Sequence, residues 1–420
     1  MKHVILGNGP AGVIAAETIR QRAPQDEIVM IGSENAPPYS RMAIPYLLMG
    51  NIDESGTYLR KESNHFERLK IEQVRGNAIS IDAKAKKLFL EGQEGKPITF
   101  DRLLIATGSV PIQPPISGIH LPGVHPCWTL EDARSIAKLV KPGSRVLQMG
   151  AGFIGCIILE ALASQKVELT VVEMGDRMVP RMMTAAAGGM IKQWVQDKGV
   201  QVYTDTKVQE ITKSGSGLSV KLSNGKSIEV DLVISATGVR PNVDYLKSSG
   251  LEIGKGIFVN EQMQTSVADV YAAGDVTESI DFSTGARIVN AIQPNAAEQA
   301  RIAAINMTGG EVQSLGALQI NVLDTLGLIS SSFGLWSGAP GGDHVEMIDV
   351  VGHKYLRLEF LGDVLVGATC VGTTEHIGVL RGLIQGKVAL GEWKTVLMEE
   401  PAKAMEAYLA KGQAQSTWMN

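Results

Sequence analysis

Two glycine clusters carry the chemistry that is most legible in this chain. The first reads Gly7-Asn8-Gly9-Pro10-Ala11-Gly12, directly after the apolar run Val4-Ile5-Leu6 and ahead of a helical pattern from Val13 to Arg20. The second reads Gly150-Ala151-Gly152-Phe153-Ile154-Gly155, after Arg145-Val146-Leu147-Gln148-Met149 and ahead of Ile157 to Ser164. In this pattern the first glycine makes a tight strand-to-helix turn. The second lets backbone N–H groups approach a pyrophosphate, and the third lets helix and strand pack closely. The helix N-terminus then offers partial positive charge to the phosphates. One such cluster is weak evidence, because glycine turns between strand and helix are common. Two, each in strand-to-helix context, point to two dinucleotides on one chain.

An acidic residue follows each cluster by about twenty residues, the spacing at which a carboxylate meets the ribose. Glu34 follows the expected strand Glu27-Ile28-Val29-Met30-Ile31, and Glu173 ends Glu168-Leu169-Thr170-Val171-Val172. Such a carboxylate accepts from both ribose hydroxyls and repels a 2′-phosphate. Alone, either glutamate reads equally well as a solvated strand-end charge; behind a fingerprint, the ribose role is the stronger. No arginine directly follows Glu173, the next being Arg177 and Arg181, so NAD is expected there in preference to NADP.

The elements that must position these residues show a second echo. Phe100 to Pro111 is answered by Val230 to Pro241, each an apolar strand that ends in Ala-Thr-Gly and is stopped by proline. Pro111 to Pro126 reads as a linker, Thr129 to Lys138 as a helix, and 145–237 as a complete α/β unit. Past it, Val270-Tyr271-Ala272 runs into Ala273-Gly274-Asp275 and a helix from Asn295 to Met307. The expected fold is therefore α/β, with two Rossmann-like domains, one inserted in the other. Residues 1–112 and 241–313 form the outer domain and 113–240 the inner one. Residues 314–420 form a small α+β domain. In it Val345 to Val351, Tyr355 to Phe360 and Val364 to Val371 read as strands, followed by a helix from about Glu375 to Gln385. Leu356, Leu358 and Phe360 alternate with Arg357 and Glu359, as in a half-buried antiparallel strand.

Composition narrows the function classes. At 420 residues, 44% hydrophobic and 20% charged, the chain is an ordinary globular one with length for two or three domains. A net charge of −5, without a basic run, gives no nucleic-acid signal. No stretch of 18 apolar residues suggests a membrane span. Met1-Lys2-His3 leads straight into the first expected strand, so no secretory leader is expected. The 3 cysteines, Cys127, Cys156 and Cys370, are odd in number and far apart, which suggests a reducing, cytoplasmic setting and no disulfide framework. The 7 histidines show no ligand spacing, so no metal site is expected. Met174, Met178, Met182, Met183 and Met190 could form an adaptable docking surface, but gap-filling in a core is the favoured reading.

Taken together, these motifs resemble the FAD-dependent pyridine-nucleotide oxidoreductases. The resemblance is nearest to rubredoxin and ferredoxin reductases and to the flavin–NAD portion of assimilatory nitrite reductases. It covers residues 1 to about 310 by specific motifs. It implies FAD in the outer domain, NAD in the inner one, and NADH preferred over NADPH. It implies that Gly7, Gly9, Pro10, Ala11, Gly12 and Glu34 hold the FAD adenosine and pyrophosphate. Arg41, in Tyr39-Ser40-Arg41, would lie beside FAD, and Ala106, Thr107 and Gly108 would line the flavin. Gly274 and Asp275 match the turn whose aspartate bonds a ribityl hydroxyl, though Asp275 alone reads as a turn or N-cap residue. Gln293 and Asn295 would open a helix aimed at the flavin C2 carbonyl. Gly150, Gly152, Phe153, Ile154, Gly155, Glu173 and Gly238 would hold NAD.

The implied activity is electron transfer from NADH through FAD to a protein carrier of the rubredoxin or ferredoxin kind. The alternatives are an NADH oxidase without a redox cysteine, and a flavoprotein subunit or NADH-sensing component of a larger complex. The C-terminal domain would be the interface for a homodimer or such a complex. Two departures from the family bear on this. Aligning on Ile44-Pro45-Tyr46 puts Met42 where the thiol-dependent members keep a cysteine, and a thioether forms no thiolate. Cys156, the only cysteine inside a cofactor motif, reads as buried helix packing. Ile157 and Tyr46 occupy the positions where many relatives keep a glutamate–lysine pair near the nicotinamide. Glu160, one helical turn on, is not an evident substitute, so slower reduction by NADH is expected.

Overall fold

The computed structural model describes residues 1–412. It separates into two compact units, one made of residues 1–112 and 239–317, the other of residues 113–238 and the segment from Leu318 onward.

In the first unit five strands form a wholly parallel sheet in the order Val270–Ala272, Arg102–Ile105, Lys2–Leu6, Glu27–Gly32, Ile71–Arg75. A parallel sheet is covered on both faces, so its central strands are apolar throughout rather than alternating. Val4, Ile5, Leu103, Leu104 and Ile105 are fully buried. The helices Pro10–Arg22 and Gln293–Met307 pack on each other. They bury small side chains that include Ala15, Ala16, Ala300, Ala303 and Ala304. A three-stranded antiparallel sheet, Ala78–Asp82, Lys87–Leu90 and Ile98–Thr99, is inserted between strands of the main sheet.

The second unit repeats the plan. Its parallel sheet runs Gln201–Tyr203, Glu168–Val172, Arg145–Met149, Leu232–Ser235, Val124–Pro126. The antiparallel insert is Val208–Ser214, Gly217–Leu222 and Ser227–Val230. Two expectations need correction. Residues 111–126 are not simply a linker, and 145–237 is not the whole α/β unit, because Val124–Pro126 supplies the fifth strand. Three residues are too few to show a period, and proline is tolerated because the strand lies at the edge. The helix Leu130–Leu139 starts at a capping box, with Thr129 Oγ1 accepting from Asp132 N–H and the Asp132 carboxylate accepting from Thr129 N–H.

The C-terminal sheet is antiparallel, ordered Ile320–Thr325, Leu328–Gly334, Val364–Val371, Lys354–Leu361, Asp343–Asp349. Only the last three were legible as strands, because Ser330-Ser331-Ser332 gives the second no apolar alternation. The strand Lys354–Leu361 is also not half solvated as its pattern suggests. Arg357 and Glu359 are largely buried, paired to each other, and joined to Glu346 and Tyr355 on the same face. Tyr355 in turn accepts from Thr184, the N-cap of the helix Ala185–Asp197. The helix expected from about Glu375 spans Ile377–Gln385. Among the methionines, Met178, Met183 and Met190 are core residues, while Met174 is exposed.

Candidate cofactor sites

The two fingerprints share one geometry, residue for residue. Gly7 and Gly150 have φ of +120° and +97°, conformations that side chains rarely adopt. A Cβ on Gly7 would lie 2.1 Å from the Ala106 carbonyl oxygen, and one on Gly150 would lie 2.4 Å from that of Ala236. The Ala-Thr-Gly echo thus has a structural use: each alanine carbonyl closes over the first glycine of its fingerprint. A Cβ on Gly12 would meet the Gly7 oxygen at 1.9 Å, and one on Gly155 would meet the Gly150 oxygen at 2.4 Å. Gly9 and Gly152 behave oppositely, since a Cβ on either would find no atom within 4 Å. The first and third glycines are therefore required by packing. The second leaves open space at the N-terminus of a helix, Pro10–Arg22 or Phe153–Ser164, a place suited to a pyrophosphate.

Around the first fingerprint the structure gathers the residues singled out from the sequence. Glu34 accepts from Tyr39 Oη at 2.5 Å and from Arg41 Nη2 at 2.6 Å. Ser40 Oγ donates to Gln293 Oε1 at 2.9 Å, tying this segment to the start of the helix Gln293–Met307. A Cβ on Gly274, φ +83°, would lie 3.4 Å from Ala296 Cβ and 3.5 Å from Ala11 Cβ, so the two helix starts converge on this turn. Ser109 Oγ donates to Asp275 Oδ2 at 2.7 Å, while burial pushes the Asp275 carboxyl above its ordinary range. Thr107 Oγ1 lies 3.1 Å from Tyr245 Oη, and Gly108, φ +65°, accepts from Asn242 N–H. Asn295, 7% exposed, has a buried Nδ2 with no protein acceptor. A buried amide donor left without a partner is costly. Beside an open turn and two converging helix starts, it fits an acceptor-rich ligand such as a flavin nucleotide.

Gln299 was not legible as a site residue. It sits buried one helical turn after Asn295, where Oε1 accepts from Gly274 N–H at 2.9 Å and Thr277 Oγ1 at 3.1 Å, and Nε2 donates to Ser279. It fixes the backbone that presents Asp275. A polar residue amid the alanines of this helix was the only signal.

The second fingerprint is tied down differently. Glu173 accepts from Ala151 N–H through Oε2 and from Gly175 N–H through Oε1, both at 2.7 Å. Its carboxylate thus sits against the turn it serves, with further lone pairs left for ribose hydroxyls. Ala151 O accepts from Val179 N–H at 2.8 Å. Gln148, fully buried under the turn, donates from Nε2 to the carbonyls of Gly150 and Gly155, both at 2.9 Å. The sequence showed it only as a polar residue in an apolar strand. Phe153 and Ile154 open the helix and are half-buried, and Gly238 takes φ +107°, as Gly108 takes +65° in the first unit.

No thiol in the chain is placed to react. Cys127, Cys156 and Cys370 are buried and free, and burial pushes each thiol up to about 12. Met42 and Tyr46 are exposed on the first unit, and Ile157 is half-buried on the second. The Glu160 carboxyl is raised by burial and by nearby Asp324. Among the described residues, no group of three or more His, Cys, Asp or Glu could hold a metal ion, and no helix is long and apolar enough to cross a membrane.

Comparison with known proteins places this geometry. A family model for pyridine nucleotide-disulphide oxidoreductases matches residues 1–300. The NADH-dependent phenylglyoxylate dehydrogenase subunit epsilon of Aromatoleum evansii is 30% identical over 95% of this chain and 95% of its own. An NADH oxidase of Methanocaldococcus jannaschii is 33% identical over 74% of this chain and 71% of its own. The ferredoxin reductase of the CYP199A2 system of Rhodopseudomonas palustris superposes with a TM-score of 0.81 at 26% identity, covering 88% of this chain and 91% of that one. Two Rossmann-like sheets with an antiparallel C-terminal sheet match that architecture. The chain belongs to the pyridine nucleotide-disulphide oxidoreductase family, and is an FAD- and NAD(P)H-dependent oxidoreductase.

Proposed function

We propose that this chain takes electrons from NADH, holds FAD in the first unit, and passes the electrons to a redox centre carried by another protein. The carrying observation is the pairing of two open fingerprint turns, at Gly9 and Gly152, with the burial of all three cysteines. FAD, when bound, takes two electrons together from a nicotinamide and releases them singly, which suits one-electron protein carriers. Asn295 would donate its free amide hydrogen to the cofactor, Gln299 would hold the Gly274 turn, and Asp275 would accept from a cofactor hydroxyl. In the second unit, Glu173 would accept from the ribose and favour NADH over NADPH.

The similarity to a ferredoxin reductase supports a small carrier as acceptor. A second reading is supported by the match to the phenylglyoxylate dehydrogenase subunit, which spans almost the whole of both chains. In that reading the acceptor is a stable partner subunit, bound through the C-terminal domain. An NADH oxidase activity is disfavoured by Met42.

Anaerobic titration of the flavin-loaded protein with NADH tests the proposal. The flavin absorbance should bleach, more slowly than in relatives that carry a glutamate–lysine pair where Ile157 and Tyr46 stand. Re-oxidation should be fast with a one-electron protein acceptor and slow with oxygen. No bleaching by NADH, or re-oxidation faster with oxygen than with the carrier, would contradict it.

A further inference from the structure

Beneath the third glycine of each fingerprint the two units place different chemistry. In the first it is Ile5, two residues before Gly7; in the second it is Gln148, two residues before Gly150. A Cβ on Gly12 would come 3.4 Å from Ile5 Cγ2, and one on Gly155 would come 3.2 Å from Gln148 Nε2, so the two side chains occupy the same place. Both are fully buried. Gln148 sits in the middle of a parallel sheet, between Val171 and Ile234, where an apolar residue is the ordinary choice. Its Oε1 is buried with no donor among the described residues. The orientation of the amide is nonetheless fixed, because turning it over would set Oε1 against the carbonyl oxygens of Gly150 and Gly155.

Stability does not account for this choice. Two amide–carbonyl bonds contribute modestly, and an acceptor left bare in the interior offsets much of what they bring. In the first unit an aliphatic side chain fills the same space, with no polar atom to leave unpaired. The difference lies in where the two bonds of Gln148 lead. The Gly150 carbonyl belongs to the peptide group whose N–H is that of Ala151, and this N–H donates to Glu173 Oε2 at 2.7 Å. The Gly155 carbonyl belongs to the peptide group whose N–H is that of Cys156, and this N–H donates to Gly152 O at 2.9 Å. Each bond of the amide thus starts a chain that crosses one peptide group. One chain ends on the carboxylate proposed to meet the ribose, the other on the open second glycine. Hydrogen bonds in such chains strengthen one another, by roughly 10–30% per bond.

We propose that Gln148 is a positioning residue for the nucleotide: by holding the carbonyl ends of these two peptide groups, it fixes the Glu173 carboxylate and Gly152 in the arrangement that receives ribose and pyrophosphate. The inference rests on the assignment of the second fingerprint to NAD. With Ile5 at the same place, the first fingerprint is built without such a strut.

The test uses flavin-loaded wild type, Gln148→Met, Glu173→Ala and the double variant. Methionine keeps the length of the side chain while removing both the donors and the bare acceptor. Thermal unfolding is followed, and 5′-AMP is titrated by calorimetry. Gln148→Met should melt within about three degrees of wild type, keep its flavin, and bind 5′-AMP roughly three- to ten-fold more weakly. In the Glu173→Ala background the same change should cost clearly less, about two-fold, because one of its two chains has lost its end. A merely structural role would lower the melting temperature and cost the same fold in either background. Binding of 5′-AMP to Gln148→Met within about two-fold of wild type, a melting temperature lower by more than about three degrees, or an equal cost in both backgrounds would overturn the inference. Absence of 5′-AMP binding to the wild type would instead overturn the NAD assignment, and this inference with it.

Discussion

Asp275 is a carboxylate whose charged form is disfavoured by burial, with partial relief from the Ser109 hydroxyl and the charge of Arg41. Its folded value therefore stands above its unfolded value. The folded apoprotein then loses stability as pH rises above the unfolded carboxylate range, near about 4, and goes on losing it until pH passes the folded value. Asp275→Asn removes the charge and can still accept from Ser109. Flavin-free protein carrying this change should melt a few degrees higher than wild type at pH 7, with the gap closing below about pH 4, while flavin affinity falls. A lower melting temperature for the variant at pH 7 would contradict this. The residues legible in the sequence were those with a fixed spacing, the six fingerprint glycines, the two glutamates and Asp275. Gln299 and Gln148 were not, because each acts through backbone groups that only folding brings to it.

The C-terminal strands show what patterning conceals. Arg357 and Glu359 were expected to face solvent, yet the Glu359 side chain is 4% exposed and depends on Arg357 for its compensation. Removing one partner of a buried pair leaves an uncompensated charge, so Arg357→Ala should cost about 3 kcal/mol in urea unfolding. Glu346→Gln, at a more exposed carboxylate, should cost less than about 1 kcal/mol. Equal costs for the two would mean that Glu359 finds compensation elsewhere. Elements with a clear period or a cap, such as Pro10–Arg22, Phe153–Ser164 and Leu130–Leu139, could be read from the chain. The strands Val124–Pro126 and Leu328–Gly334 could not, the first being too short and the second a row of serines.

Across the whole molecule the same strand order occurs twice, and in each copy an alanine carbonyl from the neighbouring strand closes over the first glycine. The second glycine is left facing open space, and we propose that ligand, and not protein, fills it. The central claim is that these two copies divide the labour, FAD at the first and NADH at the second. Because Gly9 and Gly152 both take φ −73° and have no atom within 4 Å of a Cβ, a side chain there should fill the cradle without unsettling the fold. Flavin content and anaerobic reduction by NADH, measured on folded Gly9→Val and Gly152→Val, give the most direct test. Gly9→Val should be colourless yet still bind 5′-AMP. Gly152→Val should retain its flavin but resist reduction by NADH, while dithionite still bleaches it. Full flavin content in Gly9→Val, or wild-type reduction by NADH in Gly152→Val, would contradict the account.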